Sequence, residues 1–135
     1  MLKSKQLIFL IILIGTVSFS KMAFGQISTN QEIDSLICKS WKLNIYEIDG
    51  INQELDTLSS DRFIFYPDHS LELDLDDEIL NASWSYDKQT ATLTITAAET
   101  KNSLVMKILF LSTTNCTLEA KEESGTVTKI HMIAD

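Results

Sequence analysis

The stretch Phe63-Ile64-Phe65-Tyr66-Pro67-Asp68-His69-Ser70-Leu71-Glu72-Leu73-Asp74-Leu75 decides the architecture of this chain. Phe63 and Phe65 share one parity, and Leu71, Leu73 and Leu75 alternate with Glu72 and Asp74. Successive side chains of an extended backbone point to opposite faces, so each run presents one apolar and one polar face, as a half-buried strand requires. Between the runs, Pro67 fixes φ and Asp68 can bond the backbone beyond it, which is turn chemistry. Two strands joined by so short a turn run antiparallel.

The same pattern extends in both directions. Towards the C-terminus, the run Ile79 to Tyr86 places Ala82, Trp84 and Tyr86 on one parity. After a turn at Asp87 to Thr90, Leu93 and Ile95 alternate with threonines, and these two runs form a hairpin. Ser103 to Ser112 is apolar on both faces, with Leu104, Met106, Ile108 and Phe110 on one parity and Val105, Leu109 and Leu111 on the other. Cys116, Leu118 and Ala120 mark a seventh strand, and a turn at Glu122 to Gly125 leads to a last strand, Thr126 to Ile133. Towards the N-terminus, Trp41, Leu43 and Ile45 alternate with Lys42 and Asn44 in a first strand. Ahead of it, Ser28 and Thr29 stand three residues before Gln31 and Glu32, the spacing of a capping box, and Ile33, Leu36 and Ile37 share a helical face, so a short helix is expected from about Asn30 to Cys38. Eight short strands with no helix between them predict an all-β fold, an eight-stranded antiparallel up-and-down barrel with a short N-terminal helix, because closure removes the exposed edges of an open meander.

The first residues carry a different signal. Lys3 and Lys5 precede the apolar run Leu7 to Val17, and Ala23-Phe24-Gly25 supplies small residues at the positions a signal peptidase reads. Residues 1–25 are therefore expected to be a secretory signal peptide cleaved near Gly25-Gln26, leaving residues 26–135 as one domain, secreted or periplasmic, with no membrane span in the mature chain. Cys38 lies well beyond the cleavage signature, which argues against a lipid-anchored N-terminus. The chain holds 19 acidic and 11 basic residues, and Lys3, Lys5 and Lys21 fall within the leader, so the mature domain is strongly acidic. Like charge makes nucleic acid and anionic lipid poor candidate partners, and no nucleic acid is expected. Cys38 and Cys116 are the two cysteines, and export leaves two readings open, a disulfide or a pair of buried thiols.

Several segments resemble the secreted bacterial lipocalin-like domains: Leu36-Ile37-Cys38-Lys39-Ser40-Trp41-Lys42-Leu43, Ile48-Asp49-Gly50, Phe63 to Leu71, Trp84-Ser85-Tyr86 and Thr92-Leu93-Thr94-Ile95. The resemblance covers nearly the whole mature chain and implies the barrel, carrying no catalytic residues with it. Lys39, His69 and Ala82 stand where that pattern places glycines.

In such a barrel the connections alternate between two rims. Tight turns at Pro67 to Ser70, Asp87 to Thr90 and Thr113 to Asn115 share one rim with the leading helix. The opposite rim receives Asp49 to Asp61, Asp76 to Glu78, Ala97 to Asn102 and Glu122 to Gly125, rich in carboxylates that include Glu54, Asp56, Asp77, Glu99 and Glu123. That acidic end is the expected mouth, and its field favours a small apolar or cationic ligand over an anion. Trp41, Phe63, Phe65 and Leu73 are expected to line a ligand-binding interior, together with Trp84, Tyr86, Met106 and Phe110. An eight-stranded barrel can be filled by its own side chains or hold one small molecule, and both predict this composition. No catalytic motif accompanies His69 or His131, and the Asp74 to Glu78 run lacks the order of a calcium loop, so no enzyme, metal or cofactor is expected. Outward Val105, Leu109 and Leu111 call for a cover, from the helix, a second copy in a homodimer or another exported protein. The alternative to ligand binding is a protein-interaction or envelope-structural module with a filled core.

Overall fold

The computed structural model describes residues 30–53, 60–75 and 78–135. The expected leader, the capping residues Ser28 and Thr29, and Glu54, Asp56, Asp76 and Asp77 of the acidic rim lie outside them. Helix α1 (Asn30–Ile37) precedes β1 (Ser40–Ile48), β2 (Ile51–Gln53), β3 (Arg62–Phe65), β4 (Ser70–Leu75) and β5 (Glu78–Asp87). The chain continues through β6 (Thr92–Ala97), β7 (Ser103–Leu111), β8 (Asn115–Lys121) and β9 (Val127–Ala134). Neighbours pair antiparallel in the order β2-β1-β3-β4-β5-β6-β7-β8-β9, and β1 also pairs with β9, from Trp41↔Ala134 to Ile48↔Thr128, which closes the barrel. β2 lies against Tyr46 to Ile48 and β3 against Ser40 to Lys42, so these two short strands share one position and the barrel is eight-stranded.

β2 arises in a stretch expected to be loop. Asp49 and Gly50 both adopt left-handed backbone, with φ of 50° and 80°, which is the two-residue hairpin geometry that matches strand twist. The Asp49 N–H also donates to the Val127 carbonyl at 2.8 Å, and its Oδ1 accepts the Val127 N–H at 2.9 Å, tying this hairpin to β9.

Two bulges change which side chains point inward. In β1 the register with β9 shifts between Leu43 and Ile45, leaving Ile45 37% exposed and turning Tyr46 fully inward. In β7 it shifts against β8 between Ile108 and Phe110. Phe110 is 55% exposed as a result, so the expectation that it lines the interior is corrected. Elsewhere alternation holds, and Trp41, Leu43, Phe63, Phe65, Leu73 and Met106 join one buried cluster.

The helix end is sealed by aromatic side chains whose polar atoms are paired. Ile33 and Ile37 of α1 are buried, the Trp41 Nε1–H donates to the Ile37 carbonyl at 2.9 Å, and Lys39 places its ammonium 5.3 Å from the centre of the Trp41 ring. Trp84 meets Phe65 edge-on at 5.8 Å, and its Nε1–H donates to the Tyr66 carbonyl at 3.1 Å. His69 has φ of 68°, a conformation glycine adopts without strain, and it compensates by stacking its ring on Trp84 at 4.4 Å. His69 Nδ1 lies 3.1 Å from the Trp84 carbonyl oxygen and therefore carries the proton.

His69→Ala removes the stack but keeps the strained backbone, so it should lower stability by about 1 kcal/mol. His69→Gly should recover about 1 kcal/mol relative to alanine. Urea unfolding of the three proteins checks this, and equal stabilities for alanine and glycine would contradict it.

Candidate functional site

The inward side chains of the β5–β6 hairpin shrink by stages. Its inward cross-strand pairs run Tyr86↔Leu93, Trp84↔Ile95 and Ala82↔Ala97 from the helix end to the opposite rim. The last pair is two methyl groups, so the wall that Trp84 fills one level deeper is left open there. A pocket of about 140 Å³ occupies this space. Leu73, Leu80, Ala82, Ile95 and Ala97 form its apolar wall, while Asn81, Glu99 and Thr100 stand at its lip.

Tight backbone bonding shapes that lip. The Ala98 N–H donates to Asn81 O at 3.0 Å, and Lys101, with φ of 61°, donates its N–H to Ala97 O at 3.0 Å. The turn from β6 to β7 is thereby folded over the end of β5, holding Glu99 and Thr100 beside the opening. Glu78 and Glu123 are exposed at the same end, as are Glu99 and Lys101 of the β6–β7 turn. Asp61 departs from the expected rim: it is 1% exposed and belongs to the interior.

Of the side chains expected to bind ligand, Leu73 lines this pocket. Trp41, Phe63, Phe65, Trp84 and Met106 are buried in the core, Tyr86 is half-buried against it, and Phe110 faces outward. The bulky inward residues thus fill the barrel towards the helix, and space remains where they give way to alanine. Ala82 shares the parity of Trp84, whereas Ala97 falls within a segment expected to be a turn; the signal for a pocket was a pair of small inward residues near a rim.

Tyr46 enters the interior through the β1 bulge. It is fully buried, and among the described residues its hydroxyl meets no partner in full hydrogen-bond geometry. Burial pushes its pKa well above the usual tyrosine value, a hydrogen-bonding interaction with the Thr128 side chain pulls the other way, and nearby Glu122 adds to the rise. Cys38 and Cys116 are free thiols. Burial raises both, Cys116 to about 12, with Asp34 and Asp68 adding to the rise at Cys38.

On the outer surface, His131 bonds Glu47 through Nε2 and Thr117 Oγ1 through Nδ1 at 3.1 Å, a polar bridge across β1, β9 and β8. Among the described residues, no group of three or more His, Cys, Asp or Glu side chains is arranged to hold a metal ion. No described helix is long and apolar enough to cross a membrane.

No family model and no curated protein matches the sequence. The structure is similar to the crystal structure of a lipocalin-like protein from Bacteroides uniformis ATCC 8492, with a TM-score of 0.56 and 18% sequence identity, over 73% of this chain and 98% of that one. The fold is lipocalin-like. The aromatic side chains around Trp84 and the pocket lie at opposite ends of the β5–β6 hairpin.

Tyr46 gives this fold a measurable alkaline signature. An unfolded tyrosine ionises near pH 10. Its pKa is raised in the folded protein, so the contribution is fully present below about pH 10 and is lost as pH climbs towards the folded value. Urea unfolding between about pH 9 and 11 should show a steeper loss of stability in the native protein than in Tyr46→Phe. Parallel losses would contradict this linkage.

Proposed function

We propose that this chain is an exported binding protein that takes a compact apolar molecule, neutral or cationic, into the pocket at the acidic end of its barrel. The observation that carries this reading is the methyl-lined pocket between β5 and β6. At about 140 Å³ it suits a single ring or a branched chain of similar bulk, since an engineered apolar cavity of about 150 Å³ holds benzene. Carboxylates at the lip favour a cation or a neutral molecule over an anion. The leader reading adds export to the periplasm or beyond, in keeping with the acidic mature domain. The chemistry is retention of a ligand rather than its conversion.

A second reading, docking onto a protein partner, draws on the outer face. Phe110, Thr117, His131 and Ile45 lie in one register across β7, β8, β9 and β1, and Phe110 is 55% exposed. A patch of that kind gains from a cover.

Ethylbenzene titrated into the isotope-labelled mature protein should shift the amide resonances of Leu80, Ala82 and Ala97. Ala97→Phe fills the space and should weaken binding at least tenfold while leaving the unfolding temperature unchanged or higher. Failure of the native protein to bind, or equal binding by Ala97→Phe, would reject the pocket as the site. Intact-mass measurement of the exported product should place its first residue at Gln26, and retention of residues 1–25 would reject export by cleavage.

A further inference from the structure

Two features of the pocket lining restrict what the pocket can hold. Among the described residues that line it, none is aromatic, and Glu99 alone is ionisable. Asn81 and Thr100 supply the other polar side chains, so each polar member of the lining carries an acceptor oxygen. The rest of the lining is aliphatic.

Glu99 is also uncommitted within the fold. Among the described residues it makes no hydrogen bond and no ion pair, whereas Glu47 pairs with His131, Glu119 with Lys129 and Asp135 with Arg62. Lys101 follows two residues later, but it is exposed, lies outside the pocket lining and forms no ion pair with Glu99. The turn itself is held in place: Ala98 N–H bonds Asn81 O, Lys101 N–H bonds Ala97 O, and Asn102 N–H reaches Thr100 Oγ1 at 3.3 Å. Glu99 is therefore carried to the edge of an apolar space on a bonded turn, with its carboxylate left for something outside the chain.

We propose that Glu99 is the counter-ion of a primary amine: the ligand rests a compact apolar body against Ala82 and Ala97 and presents a protonated amino group to Glu99, with Asn81 and Thr100 as further acceptors. This rests on the pocket being the binding site and narrows its ligand from apolar molecules, neutral or cationic, to short apolar amines. The amine class follows from the lining. A quaternary ammonium carries no N–H and is recognised by aromatic faces, which this lining lacks. A primary ammonium carries three N–H donors and is held by oxygen acceptors, which the lip supplies. The pocket volume of about 140 Å³ limits the body to one ring or a short branched chain, leaving the charged end at the lip. Glu99 is exposed, so its ion pair adds a few-fold to affinity and weakens as salt is raised.

Benzylamine and benzyl alcohol, nearly equal in shape and different in charge, are suitable probes, with benzyltrimethylammonium as the cation that lacks N–H groups. Each is titrated into the native protein and Glu99→Gln at low ionic strength, with amide shifts as the readout and the amide spectrum reporting that the variant is folded. The ratio of benzylamine affinity to benzyl alcohol affinity should fall about two- to fivefold from the native protein to Glu99→Gln, a comparison in which the hydration of the free probes cancels. In the native protein that ratio should shrink as salt is added, and benzylamine should bind more tightly than benzyltrimethylammonium. A ratio unchanged by Glu99→Gln, or benzyltrimethylammonium binding as tightly as benzylamine, overturns the assignment of Glu99. If ethylbenzene binds beside Ala82 and Ala97 in either case, the pocket stands without the amine. Binding of none of the four molecules removes the pocket and the amine site together.

Discussion

Antiparallel pairing of β1 with β9 is the constraint from which the rest of this structure follows. It joins the first strand to the last, from Trp41↔Ala134 at one rim to Ile48↔Thr128 at the other, and so turns a meander with two open edges into a cylinder. Only in a cylinder does the alternation of side chains become a distinction between inside and outside for every strand. The bulge within this seam, between Leu43 and Ile45, then brings Tyr46 into the interior. Side chains reinforce the seam, because Arg62 of β3 pairs with Asp135 beyond β9 and Ser40 Oγ donates to the same carboxylate at 3.4 Å.

The two ends are built from different side chains and have different physical characters. At the helix end, Trp41 and Trp84 occupy the interior and each satisfies its indole N–H on a backbone carbonyl, so large apolar surfaces are buried without an orphaned donor. At the acidic end, the same hairpin that carries Trp84 ends in Ala82 and Ala97. Packing of the first end supplies the stability that allows the second to remain open.

Most of the fold was legible in the sequence because seven of its eight barrel positions show a period of two, bounded by turns, that leaves little choice of register. Ile45 and Phe110 were misjudged for a common reason. A bulge inserts one residue and reverses parity beyond it, and nothing in a one-dimensional pattern marks the insertion, least of all in β7, where both faces are apolar. The pocket was not legible, because aromatic residues draw attention as ligand contacts, whereas here Phe63, Phe65 and Trp84 are the groups that take up the space. Ala97 could be recognised as an inward wall only once its pairing with Ala82 was known.

The central physical claim is that two facing methyl groups leave an apolar space at the acidic end of a barrel otherwise filled by its own side chains. Diffraction from a crystal of the mature protein pressurised with xenon measures that space directly, since the gas is attracted by apolar cavities and carries its own strong scattering. Xenon is expected between Ala82 and Ala97, against Leu73 and Ile95, and absent from the aromatic end around Trp41 and Trp84. Xenon among those tryptophans with none beside the alanines would contradict the assignment of a sealed end and an open one.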